Sequence, residues 1–164
     1  MAAHAARLYK WSDTSFFEEI ETLRLFYSNP EQLRQPGERV EITATGARIL
    51  TGRVCYSGAA WVHPEYRGRG LAHILPRFAK AYALTKWDPA YIASLMTESV
   101  FRKGFAPRFS YEHVDWEVRW IDSPLGTLRL AVLWLDRMHL ARDISAFLTR
   151  LETEVDVGVL ERRA

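Results

Sequence analysis

The chain has 164 residues, 48% hydrophobic and 26% charged, which suits a buried core and excludes a disordered polyelectrolyte. Lys and Arg number 22 against 20 Asp and Glu, and a net charge of +2 is too small to point to nucleic acid by itself. The lone Cys55 excludes an internal disulfide framework and a cysteine-based metal site, and no apolar run reaches the ~20 residues of a membrane helix.

The N-terminal MAAHAARLYKW lacks a basic start followed by an apolar core, so no signal peptide is expected and the expected setting is the reducing cytoplasm. With neither repeat nor linker, residues 1–164 are expected to form one domain. The first predicted element is a helix over residues 15–28. Ser15 and Glu18 have capping-box spacing, and Phe16, Ile20, Leu23 and Tyr27 fall on one face. Asn29-Pro30 ends it, and a helical turn is expected over 30–33. The stretch VEITATGARILTGRVCY reads as two strands around Thr45-Gly46, and GAAWVH as a third short strand.

Leu71, Ile74, Leu75, Phe78 and Tyr82 then recur at helical spacing, with Pro76 inside the helix as a local bend. AYIASLM, over 90–96, has the continuous apolar character of a buried strand, and a short helix over 97–103 is closed by Gly104. In YEHVDWEVRWI, Val114, Trp116, Val118 and Trp120 alternate with His113, Asp115, Glu117 and Arg119. Ser123-Pro124-Leu125-Gly126 is a turn, TLRLAVLWL the returning strand, and a last helix over 136–153 places Leu140, Ile144, Phe147, Leu148 and Leu151 on its apolar face. This order predicts an α/β or α+β domain with a mixed sheet.

The segment with most chemistry is WVHPEYRGRGLAH, over 61–73. Gly68 and Gly70 lie between a strand and an amphipathic helix, where a phosphate can reach unpaired backbone N–H groups at the positive end of the helix dipole. Arg67 and Arg69 add charge, and with Arg77 they are the nearest approach to a basic cluster. A P-loop would need a lysine and a Ser or Thr where Leu71-Ala72 stand, and a dinucleotide fingerprint would need Gly or Ala at His73.

VHPEYRGRGLA resembles the acyl-CoA-binding motif of the GNAT superfamily of N-acetyltransferases. Its core pattern, Gln/Arg-x-x-Gly-x-Gly/Ala, is met by Arg67, Gly70 and Ala72, flanked by Val62, Pro64, Tyr66, Gly68 and Leu71. The following helix, strand, short helix and Gly104-Phe105 keep the family's order over about residues 40–135. The resemblance implies a GNAT-like fold: a mixed, mostly antiparallel central sheet flanked by helices, here with an extra C-terminal helix. It implies acetyl-CoA or another acyl-CoA as the acyl donor. Backbone N–H groups of Arg67, Gly68, Arg69, Gly70, Leu71 and Ala72 would cradle the pyrophosphate, while Ala60, Trp61 and Val62 would pair with the pantetheine arm. It further implies acyl transfer to an amine acceptor, small molecule or protein, by direct attack in a ternary complex.

The chain departs from the family where a tyrosine commonly stands four residues before the glycine as the thiolate's proton donor: here it is Val100, beside Phe101. Glu98 as general base and Ser99 as donor to the thiolate are the polar catalytic candidates nearby, and Glu98 equally suits a helix N-terminus on electrostatic grounds. Tyr56, Tyr111, Trp61 and a Trp116–Trp120 stripe read first as packing, and His63 as a surface histidine. The sequence suggests no metal-ligand spacing. The missing tyrosine leaves a non-catalytic acyl-CoA-binding protein as the alternative. A nucleic-acid module using Arg67, Arg69 and Arg77 is the weaker one. The C-terminal helix is expected to pack on the sheet, with a homodimer contact as its other use.

Overall fold

The computed structural model describes residues 1–161, with side chains to residue 153. Its scaffold is a six-stranded sheet in the order β1-β3-β4-β6-β5-β2. The strands are β1 (Ala2–Trp11), β2 (Arg39–Ile42), β3 (Gly52–Val62), β4 (Tyr91–Thr97), β5 (His113–Ser123) and β6 (Gly126–Asp136). Every neighbouring pair is antiparallel except β3 and β4. The helices are α1 (Phe16–Glu21), α2 (Pro30–Leu33), α3 (Leu71–Trp87), α4 (Glu98–Phe101), α5 (Phe105–Arg108) and α6 (Arg137–Glu161).

One face of the sheet is covered by α1 and the segment after β2. Phe16, Phe17 and Ile20 of α1 pack there with Val54 of β3, Ala93 of β4, and Val132 and Trp134 of β6. The opposite face carries α3 and α6 over Cys55, Ile92 and Leu135, and α4 and α5 over Met96, Ala131 and Leu133. These two side-chain sets alternate along each central strand, as a sheet buried on both faces requires.

Several expectations change under tertiary packing. β1, rich in alanine and poor in β-formers, pairs with β3 from Ala2↔Val62 to Trp11↔Gly52. The capping box forms: the Ser15 N–H donates to Glu18 Oε2 at 2.8 Å and the Glu18 N–H to Ser15 Oγ at 3.3 Å. The helix it starts ends at Glu21, well short of residue 28, because Leu23 takes a left-handed φ of 63°. That turn drops both Leu23 and Leu25 into the core. The two strands expected around Thr45-Gly46 form as β2 and β3, with a 3-10 turn over Thr45–Ile49 between them. β2 pairs with β5 at the far edge, so residues 43–51 cross four strand spacings, about 19 Å, to reach β3. Glu38 anchors that edge, accepting from Tyr27 OH and Trp120 Nε1 at 2.8 Å each and from the Gln35 N–H at 2.7 Å.

The alternation in β5 also breaks. A register shift between Asp115 and Val118 puts one extra residue on β5, so Trp116 packs against Phe101 while Val118 and Trp120 face the α1 side. The Trp116–Trp120 stripe is therefore split between two faces. On α3 the buried positions are Pro76, Lys80 and Ala83, whereas Phe78 and Tyr82 are 61% and 56% exposed. α6 packs on the sheet and on α3 through Leu140 and Ile144, and Leu148 faces outward. Among the described residues no helix is long and apolar enough to cross a membrane.

Ser15→Ala removes one cap bond at α1 and is expected to cost about 1 kcal/mol of stability, measured by urea denaturation; an unchanged midpoint would show that the cap contributes nothing.

Candidate functional site

β3 and β4 pair only at Val54↔Tyr91, Cys55↔Ile92 and Tyr56↔Ala93. Beyond Tyr56 they part. β3 continues to Val62 on the ladder of β1, and β4 to Thr97 on the ladder of β6. A register shift between Ala3 and Ala5 places an extra residue on β3, and Ala59 takes a left-handed φ of 54° there. Such a bulge bends its strand, here beside the fork. Among the described residues, the edge of 57–62 that faces the fork consequently has no strand neighbour.

A cleft of about 830 Å³ occupies this fork, on the sheet face that carries α3 and α5. The β3 residues from Ser57 to Val62 form one wall, and the β4 residues from Ser94 to Thr97 the other. Phe105, Arg108 and Phe109 close one side, and the loop entering α3 closes the outer end. In that loop the Arg67 Nε donates to the Val62 carbonyl at 3.1 Å, tying the loop to the strand end. Gly68 and Gly70 have φ of 77° and 75°, so the backbone itself calls for glycine. A Cβ on either would meet nothing within 4 Å, so open space adjoins the loop. Gly70 is the N-cap of α3 and offers no side chain to its first N–H groups. Open space, uncapped N–H groups and the positive end of a 17-residue helix suit an anionic phosphate group.

Ala60, Trp61, Val62, Arg67, Gly68, Gly70, Leu71 and Ala72 all line the cleft. Arg69 does not; its guanidinium lies 5.2 Å over the Tyr66 ring. Arg77 points the other way, donating to Ser110 Oγ at 2.9 Å and to the His73 carbonyl at 3.2 Å. With its side chain only 14% exposed, Arg77 adds nothing to a basic surface with Arg67 and Arg69.

Glu98 and Ser99 lie outside the cleft lining. Glu98 is clasped by Arg102 at 2.7 Å and Arg129 at 3.2 Å, which ties α4 to β6. The Arg102 hydrogen bonds, with Arg129 adding, hold its carboxyl below the usual range, the wrong direction for a general base. Ser99 bonds to Thr97 Oγ1 at 3.1 Å, and only Thr97 of that pair reaches the cleft. His63 is also outside it, and Tyr56 lies on the opposite face against Phe16.

The closed end of the fork holds three polar groups that the sequence did not mark, His4, Ser57 and Ser94, together with Tyr111, which had read first as packing. His4 Nε2 and Ser57 Oγ are 2.8 Å apart, and burial, with the charge of Lys80, pushes the His4 imidazole down. Burial pushes the Tyr111 hydroxyl well up, opposed by hydrogen bonds from Ser94 and Ser57. Lys80, 1% exposed, sits 4.1 Å over the Tyr111 ring and donates to the Phe109 carbonyl. Burial lowers Lys80 from 10.5 to about 7, against the pull of Asp143. Ser57 and Ser94 were legible only as strand residues, and His4 only once β1 is known to be a strand. Among the described residues, no three His, Cys, Asp or Glu side chains converge as a metal ion would need.

The architecture agrees with a GNAT-like fold: a mostly antiparallel sheet whose one parallel pair forks before a glycine-loop helix. No protein-family model and no curated protein sequence matches the chain. Among solved structures it is similar to spermidine N-acetyltransferase from Vibrio cholerae in complex with CoA and spermine, at 12% identity and a TM-score of 0.42, covering 84% of this chain and 98% of that one. A spermidine N-acetyltransferase chimera from Vibrio cholerae and hSSAT matches at 11% identity and a TM-score of 0.46, covering 84% and 99%. A dodecameric structure of spermidine N-acetyltransferase from Vibrio cholerae matches at 14% identity and 0.39, covering 82% and 94%.

Lys80 titrates near 7 in the folded chain and near 10.5 when unfolded, so between those values the unfolded chain binds the extra proton. This group therefore makes stability rise as pH goes from about 7 toward about 10. Lys80→Met is expected to flatten that rise in thermal melts across the same range, and a slope equal to wild type would contradict the assignment.

Proposed function

We propose that the chain is an N-acyltransferase that moves an acetyl or other acyl group from acyl-CoA to an amine acceptor, acting as one domain. The observation that carries this reading is the fork, a free strand edge leading from an uncapped glycine loop to a closed polar end. Acyl-CoA, when bound, supplies a thioester already activated for attack.

The chain's own groups divide the remaining work. N–H groups of the loop and first turn, from Arg67 to Ala72, suit the pyrophosphate. The free β3 edge over 57–62 suits the amides of the pantetheine arm, as an added strand would. Leu95, Met96, Phe105 and Phe109 give the fork apolar walls, which keep water from the reacting carbonyl. The sole thiol, on Cys55, is outside the cleft lining, and burial pushes it up to about 11. That favours direct attack by a neutral amine in a ternary complex over a cysteine-bound acyl intermediate.

A binding-only protein is the second reading, favoured by Val100, which lines the cleft without a proton to donate. Acetyl-CoA is expected to raise the melting temperature, and a suitable primary amine then to release free thiol. Stabilisation with no thiol release across a broad amine panel would support the binding-only reading, and no stabilisation by any CoA thioester would overturn both.

Ala72→Glu tests the loop without the strain that a side chain would bring at Gly70. A glutamate in the first turn favours the helix but faces the phosphates, so acetyl-CoA affinity should fall about 100-fold or more with the fold intact. Unchanged affinity in calorimetry would refute the loop assignment.

A further inference from the structure

We propose that the hydroxyls of Tyr111, Ser57 and Ser94 form a thiolate-binding subsite at the closed end of the fork, where the sulfur of CoA departs. This rests on the acyl-CoA reading of the cleft. Five residue steps of β3 lead from Val62, beside the phosphate loop, to Ser57 at the closed end, at most about 16 Å of strand. That length is comparable to an extended pantetheine arm. An arm anchored at the loop and laid along the free edge therefore brings its sulfur to the three hydroxyls.

The cluster is costly as mere packing. Ser57 and Ser94 are 3% and 6% exposed, and they lie with Tyr111, His4 and Lys80 between the sheet and α3, where apolar side chains would fill the space. Ser57, Ser94 and Tyr111 line the same end of the cleft, His4 Nε2 lies 2.8 Å from Ser57 Oγ, and Lys80 Nζ lies 4.1 Å from the centre of the Tyr111 ring. The Tyr111 phenol oxygen carries one O–H to donate. Burial holds the proton on that oxygen well above ordinary working pH, so Tyr111 remains a donor throughout.

Transfer to an amine forms a C–N bond and breaks the C–S bond, leaving the electron pair on sulfur. The proton lost by the amine nitrogen ends on that sulfur, so the reaction balances without an oxidant or a second cofactor. In a water-poor cleft the developing thiolate needs hydrogen-bond donors, and donors fixed in advance act at the least cost. α4 supplies none into the cleft, since Val100 is the residue by which it lines the wall. The subsite answers that deficit from β3, β4 and the segment after α5.

The test uses CoA itself, with no acceptor. CoA bound to the full chain is titrated by thiolate ultraviolet absorbance, with the protein-alone signal subtracted, and its affinity is taken by calorimetry. The thiol of bound CoA is expected to ionise at lower pH than free CoA. Tyr111→Phe should keep CoA affinity within about threefold, yet lower the bound thiolate fraction about tenfold at a given pH, the loss of one hydrogen bond to a charged group. Ser94→Ala should move the titration the same way by less, and it serves where Tyr111→Phe disturbs folding. Tyr82→Phe, on the exposed face of α3, should change nothing. Bound-thiol titrations equal to wild type in both cleft variants, with CoA still bound, would overturn the subsite alone. Failure of the wild-type chain to bind CoA would overturn the subsite together with the acyl-CoA reading.

Discussion

The parallel ladder between β3 and β4 lasts three residue pairs, and the site depends on its early end. Each strand has a longer antiparallel partner on its outer side, β1 for β3 and β6 for β4, so separation leaves one edge of each paired. The inner edges keep backbone N–H and C=O groups that require partners from water or a ligand. A bulge at Ala59 sits on the diverging segment of β3, just past the last pair with β4. The same separation positions α3, whose entry loop must start from the end of β3 and return over the sheet. Its uncapped N-terminus is thereby aimed at the outer end of the fork.

The layer beneath α3 is the second constraint. Pro76, Lys80 and Ala83 are its buried residues, and Lys80 is the one carrying charge. Its ammonium is held by the Phe109 carbonyl and the Tyr111 ring, and its counter-charge, Asp143, comes from α6. Asp143 also lies 3.9 Å from Arg77 of α3. The C-terminal helix thus supports α3 electrostatically as well as by the contacts of Leu140 and Ile144, and α3 in turn roofs the hydroxyl cluster of the fork.

Local signals in the sequence survive folding where tertiary contacts agree with them. The Ser15–Glu18 cap, the Pro30 turn, the strand through Ile92 and the left-handed glycines at 68, 70 and 104 all appear as their residue types demand. Signals from hydrophobic period were weaker. Phe78 and Tyr82 mark an apolar stripe that faces outward, because the inward stripe carries a proline, a lysine and an alanine. One extra residue in β5 reverses the facing of Val118 and Trp120 relative to Trp116, and period alone does not register it. Alanines conceal β1, whose strand character comes from pairing with β3.

The sequence by itself determined the loop: two glycines before a helix, in a pattern that resembles an acyl-CoA motif, are a local property of residues 61–73. It also indicated the mixed class of the fold, through the order of its strands and helices. Only the tertiary structure decided what the loop faces. Ser57, Ser94, Tyr111 and His4 stand on three strands and one connecting segment, brought together by strand order rather than by spacing along the chain. Glu98, in the short helix expected before Gly104, was taken out of the cleft by two arginines, one of them 31 residues away on β6. Contacts of that kind depend on register and facing, which a single added residue can invert, and so they are set only when the sheet is assembled.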